Sequence, residues 1–184
     1  MPEYPIEIPS WTAEAVEIVN YDPVWAVRGA QECDQLQILL AAWRTSDVEH
    51  VGSTAVPGLA AKPILDLQAS VVSLDVADAI AEVLASHQWH YVPLHLDRRH
   101  YRRFFVKVVD GRRVVHLHLL EKDTVRWRQQ LAFRDALRSD PDLIDAYVEL
   151  KTQLAEQYRH DREAYSIGKS QFIADVLTGN VRGS

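Results

Sequence analysis

The sequence predicts an α+β protein in which a small sheet with flanking helices is followed by a helical C-terminal tail. Three observations predict it. Asp110-Gly111 joins two alternating apolar runs, the pattern of a hairpin whose two turn residues both need positive φ. The run ILDLQASVV, bounded by Pro63 and Asp75, reads as a further strand. Beyond Asp123 the apolar residues recur at helical spacing instead.

In chain order, residues from Thr12 to about Trp43 are mostly helical in pattern, with Val27, Leu36, Leu39, Leu40 and Trp43 recurring after Pro23 and Trp25. Val48 to Val51 forms a short strand that ends at Gly52-Ser53, and Pro57-Gly58 marks a turn. Asp75 caps a helix through about Ser86, and Trp89 to Leu94 forms another strand. A two-residue loop at Asp110-Gly111 sets Val109 opposite Arg112, Lys107 opposite Val114, Phe105 opposite His116 and Arg103 opposite His118. That register sends Phe104, Val106, Val108, Val115, Leu117 and Leu119 to the core. It gathers Arg103, Phe105, Lys107, His116 and His118 on the other face. Asp123 or Thr124 caps the next helix, and Pro141 opens one with Leu143, Ile144, Tyr147, Leu150, Leu154 and Tyr158 on its stripe. The last segment, YSIGKSQFIADVL, ends near Gly179. No repeat or shift of composition requires a second domain. Residues 1–184 are read as one domain, with a sheet core over about 20–122 and a helical tail over about 123–178.

Composition narrows the function classes. Hydrophobic residues at 47% and charged residues at 25% suit a soluble globule, and no apolar run approaches the roughly 18 residues of a membrane helix. MPEYPIEIPSW lacks the layout of a secretory signal, and the single cysteine, Cys33, cannot form an internal disulfide; a reducing cytoplasm is the expected setting. A net charge of -6 argues against a nucleic-acid partner, yet RRHYRRFFVKVVDGRR holds seven basic residues against Asp110 alone. An acidic chain with one basic segment suits a compact anion, such as a nucleotide or another phosphorylated small molecule, and no membrane partner is expected.

Within EHVGSTAVPGLAAKPILDLQ, Gly52 lets backbone approach an anion and Ser53 adds a hydroxyl donor, so the turn is either a phosphate cradle or an ordinary turn. Asp66 shares a strand face with Ile64, Gln68 and Ser70; an aspartate there needs a partner, whether a cation or a pairing with Lys62 or an arginine. His116 and His118 share a face at a spacing that can chelate a metal, but with no third ligand at readable spacing phosphate binding or a structural role together outweigh a zinc site. Arg103 and Lys107 are expected to direct charge at the same ligand, with Arg112 and Arg113 at the turn tip contributing less. SIGKS lacks the leading glycine and the preceding strand of a P-loop. Cys33 sits in a helical pattern and reads as a buried thiol.

The segments HVGSTAVPGLAAKPILDLQ, VVHLHL, WRQQLAFRDALR, YVELKTQLA and AYSIGKSQFI resemble the GrpB (UPF0157) family, in order from about Tyr21 to Leu177. That family is similar to nucleotidyltransferases and also occurs appended to dephospho-CoA kinases. The resemblance implies a small mixed sheet with helices, and a nucleoside triphosphate held at Gly52 and Ser53; Lys62 and Gln68 are expected to join the phosphate-binding residues. It further implies Mg²⁺ held at Asp66; Asp66, His116 and His118 are then the expected catalytic residues, the histidines directed with Arg103 and Lys107 at the phosphates or the acceptor. The chain departs from the superfamily at Gln68, where a second carboxylate is expected, and on the hairpin, where histidines replace a third. A neutral amide holds Mg²⁺ far more weakly than a carboxylate. Nucleotidyl transfer and non-catalytic phosphate binding are therefore the two functions to weigh.

Overall fold

The computed structural model describes residues 14–180; the readings of MPEYPIEIPSW and of a helix start at Thr12 lie outside them. Residues 14–22 are not helical. Val19 instead exchanges backbone hydrogen bonds with Ala61, each 2.9 Å, and the Asp22 carboxylate accepts from the Val24 N–H. Pro23 then opens helix α1 (Val24–Leu39), which begins later than its apolar spacing predicts.

Five strands follow: β1 (Glu49–Val51), β2 (Leu65–Val71), β3 (Trp89–Val92), β4 (Arg102–Val109) and β5 (Arg112–Glu121). They form one open mixed sheet in the order β1-β2-β5-β4-β3, with β2 and β5 parallel and the other neighbours antiparallel. Helix α2 (Ala77–Ala85) follows a short 3-10 turn whose cap is Ser73, not Asp75: the Ser73 hydroxyl accepts from the Asp75 N–H at 3.2 Å. A one-turn helix, α3 (Leu94–Asp97), separates β3 from β4.

The hairpin turn is where its chemistry predicts, with φ of 51° at Asp110 and 73° at Gly111. Its register is not the predicted one. Val109 and Val108 pair with Arg112 and Arg113, but a bulge then leaves Val114 without a partner, and Lys107 pairs with Val115. From there Val106 opposes His116 and Phe104 opposes His118. One extra residue exchanges the faces of β4 relative to β5. Phe105 is fully buried in the core with Leu117 and Leu119, while Phe104 joins the histidines.

The two faces of the sheet are covered differently. Leu36 of α1, Leu40 at its C-cap, and Ile80 and Leu84 of α2 pack on Leu65, Leu67, Phe105 and Leu117. The tail comprises α4 (Val125–Ser139), α5 (Pro141–Gln157), α6 (Arg162–Gly168) and α7 (Ser170–Thr178), and it returns across the polar face. Phe133, Leu137 and Tyr147 bury Val56 and Leu59 of the segment after the Gly52-Ser53 turn. Tyr165, Leu154 and Ala155 enclose Val16. Thr124 and Asp140 cap α4 and α5, and Pro141 occupies the first turn of α5, as their chemistry predicts. Among the described residues, no helix is long and apolar enough to cross a membrane.

Candidate functional site

Between the polar face of the sheet and the tail lies a cavity of about 750 Å³ lined by Gly52, Ser53, Lys62, Asp66, His116 and His118, together with side chains of α5, α6 and α7. The parallel register of β2 and β5 sets Asp66 beside His116 and Gln68 beside His118. Asp66 Oδ1 receives hydrogen bonds from His116 Nδ1 at 3.1 Å and His118 Nε2 at 3.3 Å. Burial alone would raise the Asp66 pKa, but the two histidine hydrogen bonds outweigh it and hold the carboxyl well below its usual range.

The tautomers follow from the partners. Arg102 is always a donor, and its Nη1 lies 2.5 Å from His118 Nδ1; the proton of His118 is therefore on Nε2, facing Asp66. Arg102 is itself fixed by Asp97 through a bidentate pair at 2.9 and 2.5 Å. Burial, reinforced by Arg102, lowers the His118 pKa, and burial lowers that of His116 to about 4. Both rings are neutral at pH 7. His116 donates through Nδ1, which leaves its Nε2 as a buried lone pair with no hydrogen-bond partner. The Phe104 ring braces both imidazoles, at centroid distances of 5.0 and 5.3 Å.

Gly52 connects this cluster to the turn. Its φ is 70°, and a Cβ there would lie 2.8 Å from Asp66 Oδ2, so both conformation and space require glycine. Ser53 then opens a 3-10 turn, and its hydroxyl accepts from Lys151 Nζ at 3.2 Å. Lys151, 1% exposed, also donates to the Ala60 carbonyl and lies 4.7 Å from the Tyr147 ring centroid. Lys62 and Lys169 approach one ring, Tyr165, at 5.1 and 4.4 Å. Among the described residues, none of these three lysines makes an ion pair within 4.0 Å. Burial, followed by mutual repulsion, brings Lys62 and Lys151 to about 7; burial brings Lys169 to about 8.

The structure therefore joins Gly52, Ser53, Lys62, Asp66, His116 and His118 and leaves out three expected residues. Lys107 faces α1, where its Nζ pairs with Glu32 at 2.7 and 2.9 Å. Arg103 donates to the carbonyls of His100 and Arg102 and borders a separate, small depression with Asp75 and Asp78. The bulge explains both, since it exchanges the faces of β4. The same bulge turns Arg113 into the cavity wall, where Glu14 binds both Arg113 and Arg162, so Arg113 is not the peripheral tip residue expected. Gln68 is fully buried beneath α4; its Nε2 donates to the Trp127 carbonyl at 3.5 Å and its Oε1 has no partner. His50 is hydrogen-bonded to Thr54 at 2.9 Å.

Lys151, Lys169, Tyr165 and Arg102 were missed by the sequence reading. Lys151 follows Tyr147 by four residues and precedes Leu154 by three, so it stands on the buried stripe of α5; that spacing is the signal that could have found it. Lys169 lies within the discounted SIGKS segment.

These donors do not make a two-metal centre. Asp66 is one carboxylate whose Oδ1 already receives two N–H groups, the Gln68 amide is sealed against Trp127, and His118 Nε2 carries a proton. Among the described residues, no group of three or more His, Cys, Asp or Glu side chains could hold a metal ion.

The sheet and its flanking helices define the class. A structure of Cid1 in complex with the UTP analogue UMPNPP superposes with a TM-score of 0.53 at 14% identity, over 82% of this chain and 48% of that one. A second Cid1 structure, with Mg and 3′-dATP bound, gives 0.54 at 15% identity, over 82% and 49%. The fold is nucleotidyltransferase-like. Residues 15–178 match the family described as GrpB protein, and the chain belongs to that family. The crystal structure of GrpB from Enterococcus faecalis superposes with a TM-score of 0.77 at 28% identity, over 89% of this chain and 96% of that one. UPF0157 proteins of Pseudomonas aeruginosa and Bacillus subtilis are 36% and 32% identical; the matches cover 89% and 86% of this chain but 67% and 45% of those proteins. A dephospho-CoA kinase of Mycolicibacterium paratuberculosis is 26% identical over 88% of this chain and 45% of its own length.

Proposed function

We propose that the cavity binds a nucleoside triphosphate, or another phosphorylated small molecule, with its phosphates between the Ser53 turn and the lysine cluster, and that it supports transfer of a nucleotidyl group. One observation carries the reading: Lys62, Lys151 and Lys169 line one cavity with Ser53, Lys151 donating to its hydroxyl, and among the described residues none of the three makes an ion pair, Asp66 acting on Lys62 and Lys169 only from beyond 4.0 Å. Buried ammonium groups are costly, and a polyanion is the ligand that offsets the cost. Transfer needs a group to accept a proton from the attacking hydroxyl. His116 Nε2 is a lone pair whose ring is held in one tautomer by Asp66. Asp66 thus positions the base, and His118 and Arg102 position Asp66. The Cid1 structures with bound nucleotides share this fold and support the choice of ligand.

A second reading, nucleotide binding without turnover in a regulatory or partner-stabilising role, is favoured by Gln68, which occupies the expected carboxylate position with its side chain sealed in the interior. A nucleotide panel separates the two. Thermal shifts would register binding, and release of pyrophosphate would register transfer, for wild type, His116→Gln and Lys151→Met. The first reading requires pyrophosphate release that His116→Gln removes while binding persists. Binding without pyrophosphate across the panel of nucleotides and hydroxyl acceptors leaves the second. Absence of any nucleotide shift defeats both.

A further inference from the structure

The cavity pairs a poor set of metal donors with a surplus of cations. Asp66 is the carboxylate that lies against Gly52, and two imidazole N–H groups already occupy its Oδ1. The next position on that strand face, Gln68, is out of reach beneath α4. Lys62, Lys151 and Lys169 meanwhile enter from three places in the chain: the segment before β2, the middle of α5 and the junction of α6 with α7. Two tyrosine faces receive them. Tyr165 attracts Lys62 and Lys169, and Tyr147 attracts Lys151; such contacts orient ammonium groups without cancelling their charge. A divalent cation brought to Asp66 would share the cavity with these three lysines, while the Asp97 carboxylate is already committed to Arg102.

We propose that the three lysines take the place of divalent metal, so that the cavity accepts its polyphosphate as the metal-free anion. The inference rests on the phosphate-binding reading above and narrows it to one charge state of the ligand. A phosphate chain wrapped on Mg²⁺ presents less negative charge and fewer free oxygens, and it would carry a cation toward the lysines. A bare chain meets three ammonium donors and the Ser53 turn, which suits the short, strong hydrogen bonds of charged pairs. The geometry thus selects against the metal complex that a carboxylate-rich site would select for.

Inorganic tripolyphosphate is the probe, because it removes base and sugar from the comparison. Calorimetric titration into the full chain in EDTA should show one molecule bound, and saturating Mg²⁺ should weaken that binding about tenfold or more. Lys151→Met and Lys169→Met should each weaken the EDTA binding about tenfold, whereas Arg112→Met, at the exposed hairpin tip, should leave it within about twofold. Lys169 borders the cavity less deeply than Lys151, so its variant keeps the test open if the α5 substitution compromises folding. Binding that requires Mg²⁺, or tightens with it, overturns the inference and leaves the phosphate site standing. Equal losses in all three variants also overturn it, since the attraction would then be a diffuse field. No binding in either condition overturns both the inference and the reading beneath it.

Discussion

Asp66 illustrates how much of a residue's behaviour is set by which atoms its neighbours present. Two N–H groups meet one of its oxygens, and each is presented there by a defined tautomer; the other oxygen lies against Gly52, which tolerates no Cβ. Gly52→Ala must adopt positive φ with a side chain and displace the carboxylate as well. It should lower stability by about 1–3 kcal/mol in urea denaturation and weaken any ligand of the Ser53 turn. Arg102→Lys tests the tautomer lock. Lysine cannot hold Asp97 bidentately while also donating to His118, so the imidazole becomes free to change tautomer, and its NMR nitrogen shifts should show a mixture in place of one form. At this scale the sequence exposed Ser53 and Asp66, because a strand-ending Gly-Ser and an aspartate among apolar neighbours are locally anomalous. Lys151 is anomalous as well, but only once the helical stripe around it is counted, and Arg102 becomes visible only through its partner sixteen residues away.

The hairpin shows what happens one level up. Its turn was legible because Asp110-Gly111 states its own φ requirements, and the faces of β5 were legible because apolar and polar residues alternate there. The bulge was not. Val114 is an ordinary strand residue, and its exclusion from the ladder is decided by core packing, which takes both Val114 and Val115 on the same side. From that one residue follow the misplacement of Arg103 and Lys107 and the appearance of Arg102 and Arg113 in the cavity. Two phenylalanines report the register directly. Phe105→Ala should cost about 3–5 kcal/mol in equilibrium unfolding, as for a fully buried aromatic. Phe104→Ala should cost less and instead loosen His116 and His118, detectable as weaker ligand binding in a protein of nearly native stability.

For the molecule as a whole, the buried lysines predict an unusual dependence of stability on pH. Lys62 and Lys151 titrate near 7 and Lys169 near 8 when folded, against an ordinary 10.5, so above pH 7 the unfolded chain binds more protons than the folded one. Stability should then rise with pH from about 7. The opposite sign enters near 9: the Cys33 thiol, held at about 12 by burial, stays protonated in the folded state, as do Tyr147 and Tyr165, while their unfolded counterparts ionise. Chemical denaturation across pH 6 to 11 should place the maximum near or just above 10, where the loss of protons from unfolded Cys33, Tyr147 and Tyr165 overtakes the lysines, and above the usual pH 5 to 8 range. A plateau between 7 and 9 would show that the folded lysines keep their protons over that range and that burial does not depress their pKa values.

The Glu14 contacts join parts of the chain 99 and 148 residues apart. Glu14 accepts from Arg113 and from Arg162, and the Val16 N–H from the Arg159 carbonyl. Contacts of such separation close the longest loops in the fold and carry the largest entropic barrier to early formation. The sheet and α1–α2 core can assemble first, with the wall that brings Lys62, Lys151 and Lys169 together added afterwards. Repulsion among the lysines is then absent from the rate-limiting step of folding and felt only once the cavity closes. Lys151→Met should accordingly leave the folding rate in stopped-flow measurements unchanged and alter the unfolding rate alone. A ligand that neutralises the cluster should act on the same limb, so the protein would be held closed by slow opening rather than by faster folding.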